Sequence, residues 1–276
     1  MSHPTAPLVG ENLTLRYGDF PVSENLNVSI PDGSFTVVIG PNACGKSTLL
    51  RALSRLLQPA AGRVVLDGKD IRDYPSVTVA RRLGLLPQSS ASPAGITVRE
   101  LVARGRYPYQ SLLRQWSSED DAAVEKAMRD TGVSDFADRQ VDELSGGQRQ
   151  RVWLSLVLAQ QTPLVLLDEP TTFLDITHQL DVLNLCQELH ESGNYTFVAV
   201  LHDLNLAFRY ADHLIVMRDG KIVAEGAPRE IVTEKLIADV YDIPCLCIPD
   251  PVTGDPMVVP LHRGRRQHQT GEEAAR

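Results

Sequence analysis

Nine consecutive residues, Gly40-Pro41-Asn42-Ala43-Cys44-Gly45-Lys46-Ser47-Thr48, have the types and spacing needed to hold phosphate. Two glycines bracket four free positions, and Lys-Ser follows, the pattern G-x-x-x-x-G-K-[ST]. Glycine lets backbone N–H groups approach phosphate oxygens without a Cβ in the path. Lys46 can reach β- and γ-phosphates, and the Ser47 hydroxyl can ligate Mg²⁺. Farther along, Leu144-Ser145-Gly146-Gly147-Gln148 offers a serine able to cap a helix, with two glycines baring its first N–H groups. Alone, that stretch fits a second anion-binding helix N-terminus or a plain cap. Asp168-Glu169 closes the apolar run Leu164-Val165-Leu166-Leu167. An acid pair at the end of a buried strand suits metal chemistry. Asp168 can hold Mg²⁺, directly or through water, and Glu169 can polarise an attacking water.

These groups need a scaffold. Phe35-Thr36-Val37-Val38-Ile39 reads as a buried strand ahead of the glycine loop, and Leu49, Leu50, Leu53, Leu56 and Leu57 recur after it at helical spacing. The loop's N–H groups and the positive end of that helix then face the same way. Residues 8–33 alternate, which predicts an antiparallel layer, and short strands follow at 62–68 and 83–88. Residues 96–160 hold no convincing strand. Thr97 is placed to cap a helix through Arg106, and Ser117 or Ser118 another through Thr131. Strand character resumes at 164–168 and 196–202, separated by a helix of about 17 residues ending near Gly193. His213 to Val223 reads as a hairpin turning at Asp219-Gly220. Residues 228–241 suit one helix with Pro228 at its start, and 244–262 a proline-rich β segment. Residues 263–276, polar and Arg-rich, are expected to be disordered. The predicted fold is α/β: a phosphate-loop core (8–88 and 161–262) with an antiparallel β subdomain and an inserted helical subdomain (89–160), one domain over 1–262.

Composition narrows the function. Over 276 residues, 27 Lys and Arg against 35 Asp and Glu leave a net charge of −8, the wrong sign for a general nucleic-acid binder. No apolar run reaches 18 residues, and Met1-Ser2-His3-Pro4-Thr5 lacks the basic start of a signal peptide. A cytoplasmic chain is expected. Cys44, Cys186, Cys245 and Cys247 are expected to be free thiols, since Cys245-Leu246-Cys247 lacks the C-x-x-C spacing of zinc and redox sites.

Tyr17, the glycine loop, Gln88, Leu-Ser-Gly-Gly-Gln, Asp168-Glu169, Asp175 and His202 stand in the order seen in ATP-binding cassette (ABC) ATPases. The chain resembles that family over roughly residues 8–240. The resemblance implies ATP as the nucleotide. It implies that Tyr17, otherwise an ordinary edge-strand aromatic, stacks on adenine. It implies that Gln88 touches Mg²⁺ and water and senses a membrane partner, that Asp175 holds the D-loop position, and that His202 contacts the γ-phosphate. It also implies that the residues 40–48 and Ser145, Gly146, Gly147 and Gln148 bind nucleotide in a pair of chains.

Two departures from the family pattern stand out. Ala43 occupies a position usually held by glycine; should that position need positive φ, alanine costs of order 1 kcal/mol. Phe173 stands where many cassettes carry a small residue. The run Glu169 to Ile176, with Phe173, resembles the ATPases of ferric-siderophore, haem and cobalamin importers, as does Gly105-Arg106-Tyr107-Pro108-Tyr109. Asp250 to Pro260 is most similar to the siderophore branch. The implied partners are transmembrane permease subunits, a second ATPase copy and, indirectly, a substrate-binding protein, at the cytoplasmic face of the membrane. A DNA-repair relative would carry a long coiled-coil insert, and a translation factor two cassettes. A GTPase would carry Asn-Lys-x-Asp. None is present.

Overall fold

The first two strands alternate because one face of each is buried. In a computed structural model describing residues 7–88, 92–111, 116–172, 174–193 and 195–261, β1 (Leu8–Tyr17) buries Leu8, Leu13 and Leu15, and β2 (Phe20–Ile30) buries Leu26, Val28 and Ile30. They pair antiparallel. All five residues of β3 (Phe35–Ile39) are buried, as a strand covered on both faces requires. The glycine loop leads from it into α1 (Lys46–Leu53). β4 (Ala61–Leu66) and β5 (Lys69–Asp70) return to the first layer, completing a four-stranded sheet in the order β2-β1-β4-β5. A short α2 (Ser76–Ala80) precedes β6 (Leu83–Leu86).

The helical insert follows: α3 (Val98–Ala103), a 3-10 turn at Arg104–Tyr109, α4 (Ser118–Asp130) and α5 (Gly146–Ala159). Thr97 and Ser117 close capping boxes at the starts of α3 and α4. The core resumes with β7 (Leu164–Asp168), α6 (Ile176–Glu191), β8 (Thr196–Val200), α7 (Leu204–Tyr210), and the hairpin of β9 (His213–Arg218) and β10 (Lys221–Gly226). α8 (Pro228–Ile231), α9 (Glu234–Tyr241) and an antiparallel pair, β11 (Cys245–Pro249) and β12 (Pro256–Pro260), end the described chain.

The main sheet runs β10-β9-β3-β8-β7-β6, parallel except for β10 at one edge. It divides the interior. Phe35, Val37 and Ile39 of β3 face a core shared with the helical insert, while Val38 faces a second core shared with the antiparallel sheet and α1. Leu49, Leu50 and Leu53 of α1 are fully buried there, each worth about 1.5–3 kcal/mol. This anchors the helix whose first turn follows the glycine loop.

Several expected boundaries move. α1 stops at Leu53 because Arg55 turns into the left-handed region at φ +64°, and Leu56 is 67% exposed. The helix expected through Arg106 ends at Ala103 and tightens into the 3-10 turn, which contains Pro108. The single helix expected over 228–241 is two. Val232 is extended at ψ 116°, and the Thr233 side chain caps the second helix by accepting from Leu236 N–H. β8 ends at Val200, two residues before His202. Residues 263–276 and Phe173 lie outside the described residues.

Candidate nucleotide site

Parallel strands put their carboxyl ends at one edge of the sheet, where α/β proteins bind ligands. The glycine loop leaves β3 there, Gln88 follows β6, Asp168-Glu169 ends β7, and His202 follows β8. A cavity of about 290 Å³ opens at this edge, lined by Tyr17, Ala43, Lys46, Ser47, Glu169 and His202 among others.

The loop's shape is set by its backbone. Gly40 has φ +152°, and a Cβ there would lie 2.2 Å from the Met217 carbonyl oxygen, so no other residue fits. Ala43 takes φ +62°, the left-handed conformation that the family's usual glycine would adopt without strain. Lys46 is buried, and its ammonium donates to the Gly40 and Pro41 carbonyls at 2.8 and 2.9 Å. Those bonds use two of its three N–H groups and hold the charge against the loop. Burial pushes the Cys44 thiol above its ordinary pKa, against the opposing charge of Lys46, so it stays protonated. Tyr17, at the end of β1, is 45% exposed, and its hydroxyl accepts from Arg51 at 3.3 Å.

Ser47 Oγ donates to Asp168 Oδ1 at 2.8 Å. Asp168 is 3% exposed, and burial raises its pKa, with the Ser47 hydrogen bond opposing and the charge of Glu169 adding. A buried carboxylate beside a hydroxyl is a hard-oxygen pair that suits Mg²⁺. That ion takes few protein ligands and completes its shell with water and phosphate. Among the described residues no group of three His, Cys, Asp or Glu side chains could form a protein-only cage.

Glu169 has φ +54°, an uncommon conformation for a non-glycine residue and one found at functional sites. Its carboxylate is held from three directions. His202 Nε2 lies 2.7 Å from Oε1, while Gln88 Nε2 and Thr172 Oγ1 donate to Oε2 at 2.7 and 3.0 Å. No sequence motif singles out Thr172. Its position three residues after Glu169, within one turn, is the signal that could have found it. Val22, which also lines the cavity, left no such signal.

Ser145–Gln148 lie apart from this cavity and line none of it. Ser145 caps α5: its Oγ accepts from Gln148 N–H at 3.3 Å, and Gln148 Oε1 accepts from Ser145 N–H at 3.0 Å. Gly146 is exposed, and Gly147 packs beneath the His178 ring. Asp175 caps α6, accepting from His178 N–H at 3.0 Å and lying 2.7 Å from His178 Nδ1. Those hydrogen bonds hold its pKa below the ordinary value.

The profile of the ABC transporter family matches residues 23–172, which span the glycine loop, the Ser145 helix cap and Asp168-Glu169. The chain belongs to the ABC transporter family. It is an ATP-binding subunit of that family, as the resemblance implied. It is 60% identical to the ferric enterobactin transport ATP-binding protein FepC of Escherichia coli K12 over 263 residues, covering 95% of this chain and 97% of that one. It is 48% identical to the petrobactin import ATP-binding protein FpuD of Bacillus anthracis, covering 96% and 97%. The dimeric structure of MJ0796, a bacterial ABC transporter cassette, superposes with a TM-score of 0.71 at 28% identity, covering 80% of this chain and 98% of that one. Among the described residues of this ABC subunit no helix is long and apolar enough to cross a membrane.

Proposed function

We propose that the chain hydrolyses ATP to drive import of ferric siderophores, working as a pair of copies beneath a membrane permease at the cytoplasmic face. The observation that carries the hydrolytic reading is Glu169, whose carboxylate accepts from Gln88 and Thr172 and lies 2.7 Å from His202 Nε2, in the cavity that Lys46 and Ser47 line. A carboxylate offers about four lone-pair sites, so these two hydrogen bonds leave room for a water molecule. Glu169 takes that water's proton as the water oxygen bonds to the γ-phosphorus and the bond from that phosphorus to the β–γ bridging oxygen breaks, releasing ADP and phosphate. Lys46 and the loop N–H groups hold the β- and γ-phosphates. Ser47 and Asp168 would hold Mg²⁺, which would supply charge neutralisation at the phosphates. Tyr17 offers its exposed ring to adenine. His202 orients Glu169 and turns toward the γ-phosphate. Ser145, Gly146, Gly147, Gln148 and Asp175 serve the pair interface, in line with a cassette neighbour that is a dimer.

The permease reading has a surface. An open groove of about 560 Å³ in the helical insert is lined by Ile96, Glu100, Arg104, Tyr107, Gln110 and Trp116 among others. Tyr107 is 60% and Trp116 42% exposed. Two exposed aromatics beside charges of both signs suit a short amphipathic cytoplasmic helix of the permease. The cargo reading rests on relatives named for ferric enterobactin transport and petrobactin import. The test isolates the chain from membranes with whatever permease and binding protein accompany it and measures ATP-dependent uptake into vesicles. Uptake of a radiolabelled ferric siderophore that stops with Glu169→Gln is expected. Uptake of haem or cobalamin without the ferric siderophore would overturn the cargo.

A further inference from the structure

The 3-10 turn Arg104–Tyr109 has two faces. One is locked onto the end of α5. A Cβ on Gly105 would lie 2.3 Å from the Leu156 carbonyl oxygen, so the two backbones meet where no side chain fits. Arg106 is 2% exposed, and its Nη1 donates to the Ala159 carbonyl at 2.8 Å and to Gln161 Oε1 at 2.9 Å. Its Nε donates to Asp120 Oδ1 at 2.8 Å, and Asp120 is fully buried. The Tyr109 hydroxyl donates to the Gln160 carbonyl at 2.9 Å, and its ring lies 3.9 Å from the Arg106 guanidinium. A helix leaves its last carbonyls without partners and its C-terminus partly negative. Here a guanidinium and a phenol from one turn satisfy that end.

The same turn is braced on another side. Arg81 Nε donates to the Pro108 carbonyl at 2.9 Å, with its guanidinium 5.0 Å from the Tyr109 ring. Arg81 follows α2 and stands just ahead of β6, the strand that leads to Gln88. Gln160 ties the same corner from α5, donating to the Ala80 and Leu83 carbonyls. Arg104, Tyr107 and Gln110 point the other way, into the open groove.

We propose that this turn is a transmission joint, with Arg106 and Tyr109 as positioning residues. A permease segment in the groove presses on Arg104 and Tyr107. Arg106 and Tyr109 pass that displacement to α5, and α5 carries it to Ser145 at its far end. With 14 residues α5 is a rod of about 21 Å. A pair fixed at four points by hydrogen bonds and backbone contact moves as one piece, because packed elements shift rather than deform. This inference rests on the docking reading above, and its test separates the two.

The test uses the chain isolated with its permease in lipid nanodiscs, and the free chain beside it. Arg106→Met combined with Asp120→Leu replaces the buried ion pair by apolar groups, a change that folds often tolerate. The free variant should hydrolyse ATP within about twofold of wild type, and the permease should still co-purify. The permease-dependent rise in ATPase activity should fall, within the roughly 2- to 30-fold range seen along coupling routes. Arg106→Lys, which keeps charge but not the planar fork, should restore part of it. Tyr109→Phe, which keeps the stacked ring, gives the same reading should the double variant not fold. An undiminished rise overturns the joint. So does an equal loss in the free chain, which would make the turn merely structural, and so does loss of the permease, which would make it only a docking surface. Tyr107→Glu tests the docking reading separately: a permease that still co-purifies in full overturns that reading.

Discussion

Gln88 Nε2 donates to Glu169 Oε2 at 2.7 Å across 81 residues of chain. The contact joins the end of β6, where the chain enters the helical insert, to the residue proposed to activate water. A side chain in that position can relay the state of the insert to the chemistry. Gln88→Ala removes the amide without touching the phosphate loop. Cargo uptake per ATP should fall about fivefold or more, the lower bound of ordinary coupling energies, while ATP affinity changes little. Uptake and ATPase rates together with ATP titration measure it. Full uptake would show that the hydrogen bond carries no signal.

Glu169→Gln keeps the size and the acceptor oxygen of the side chain but not its basicity. The hydrolytic rate should drop by about 100-fold or more, the usual contribution of a general base, and ATP should still bind. Rapid-mixing phosphate release and nucleotide titration separate the two. Turnover near wild type would remove Glu169 from the role.

Ala43 carries a strain that glycine would relieve, its φ being +62°. Left-handed backbone costs an alanine about 1 kcal/mol or more, part of which glycine gives back through its freer unfolded chain. Ala43→Gly should therefore raise unfolding stability by up to about 1 kcal/mol. Urea unfolding measures it, and a clear loss of stability would contradict the conformation.

Asp120 links acid sensitivity to the insert. Burial opposes its ionisation, but hydrogen bonds from Arg106 and Ser117 outweigh that and hold its pKa below the ordinary value. A depressed folded pKa stabilises the fold above the unfolded value of about 3.9 and loses that stabilisation as pH falls through the folded one. Wild type should lose stability below about pH 4 more steeply than Arg106→Met with Asp120→Leu. Asp120→Asn alone should cost about 3–5 kcal/mol at neutral pH by leaving Arg106 buried without its counter-charge. Parallel pH profiles for wild type and the double variant would refute the linkage.

The parts of the site that the sequence disclosed are those whose chemistry constrains neighbours in the chain. The glycine loop needs a strand before it and a helix after it, so residues 35–53 announce themselves within one window. Asp168-Glu169 is visible because acids end a run of buried residues. Arg106 and Asp120 gave no such sign. They lie 14 positions apart, and their pairing exists only once α4 packs beside the turn. Val22 reaches the cavity through the fold of the β1–β2 hairpin, which no local pattern encodes. Helix ends failed where one residue decides, as at Arg55 and Val232.

The Ser145 cap and the Lys46 loop belong to one chain but not to one cavity. Both present helix N-termini that suit phosphate. They can serve one γ-phosphate only from opposite sides, and a two-fold pair supplies that arrangement by setting each Ser145 over the other copy's loop. In the proposed pair the nucleotide would form part of the interface, and loss of its γ-phosphate should loosen the pair. A mixed pair tests this. Lys46→Ala disables a chain's own loop, and Ser145→Arg disables what it lends to its partner. Each variant alone spoils both sites and should be inactive. In a mixed pair both lesions fall on one site and leave the other whole. Random pairing of equal amounts makes half the pairs mixed, so about a quarter of wild-type ATPase activity should return if the sites act independently. Native mass spectrometry confirms that mixed pairs form, and phosphate release measures the recovery. Mixed pairs that form, bind ATP and remain as inactive as either parent would mean that Ser145 does not complete its partner's site.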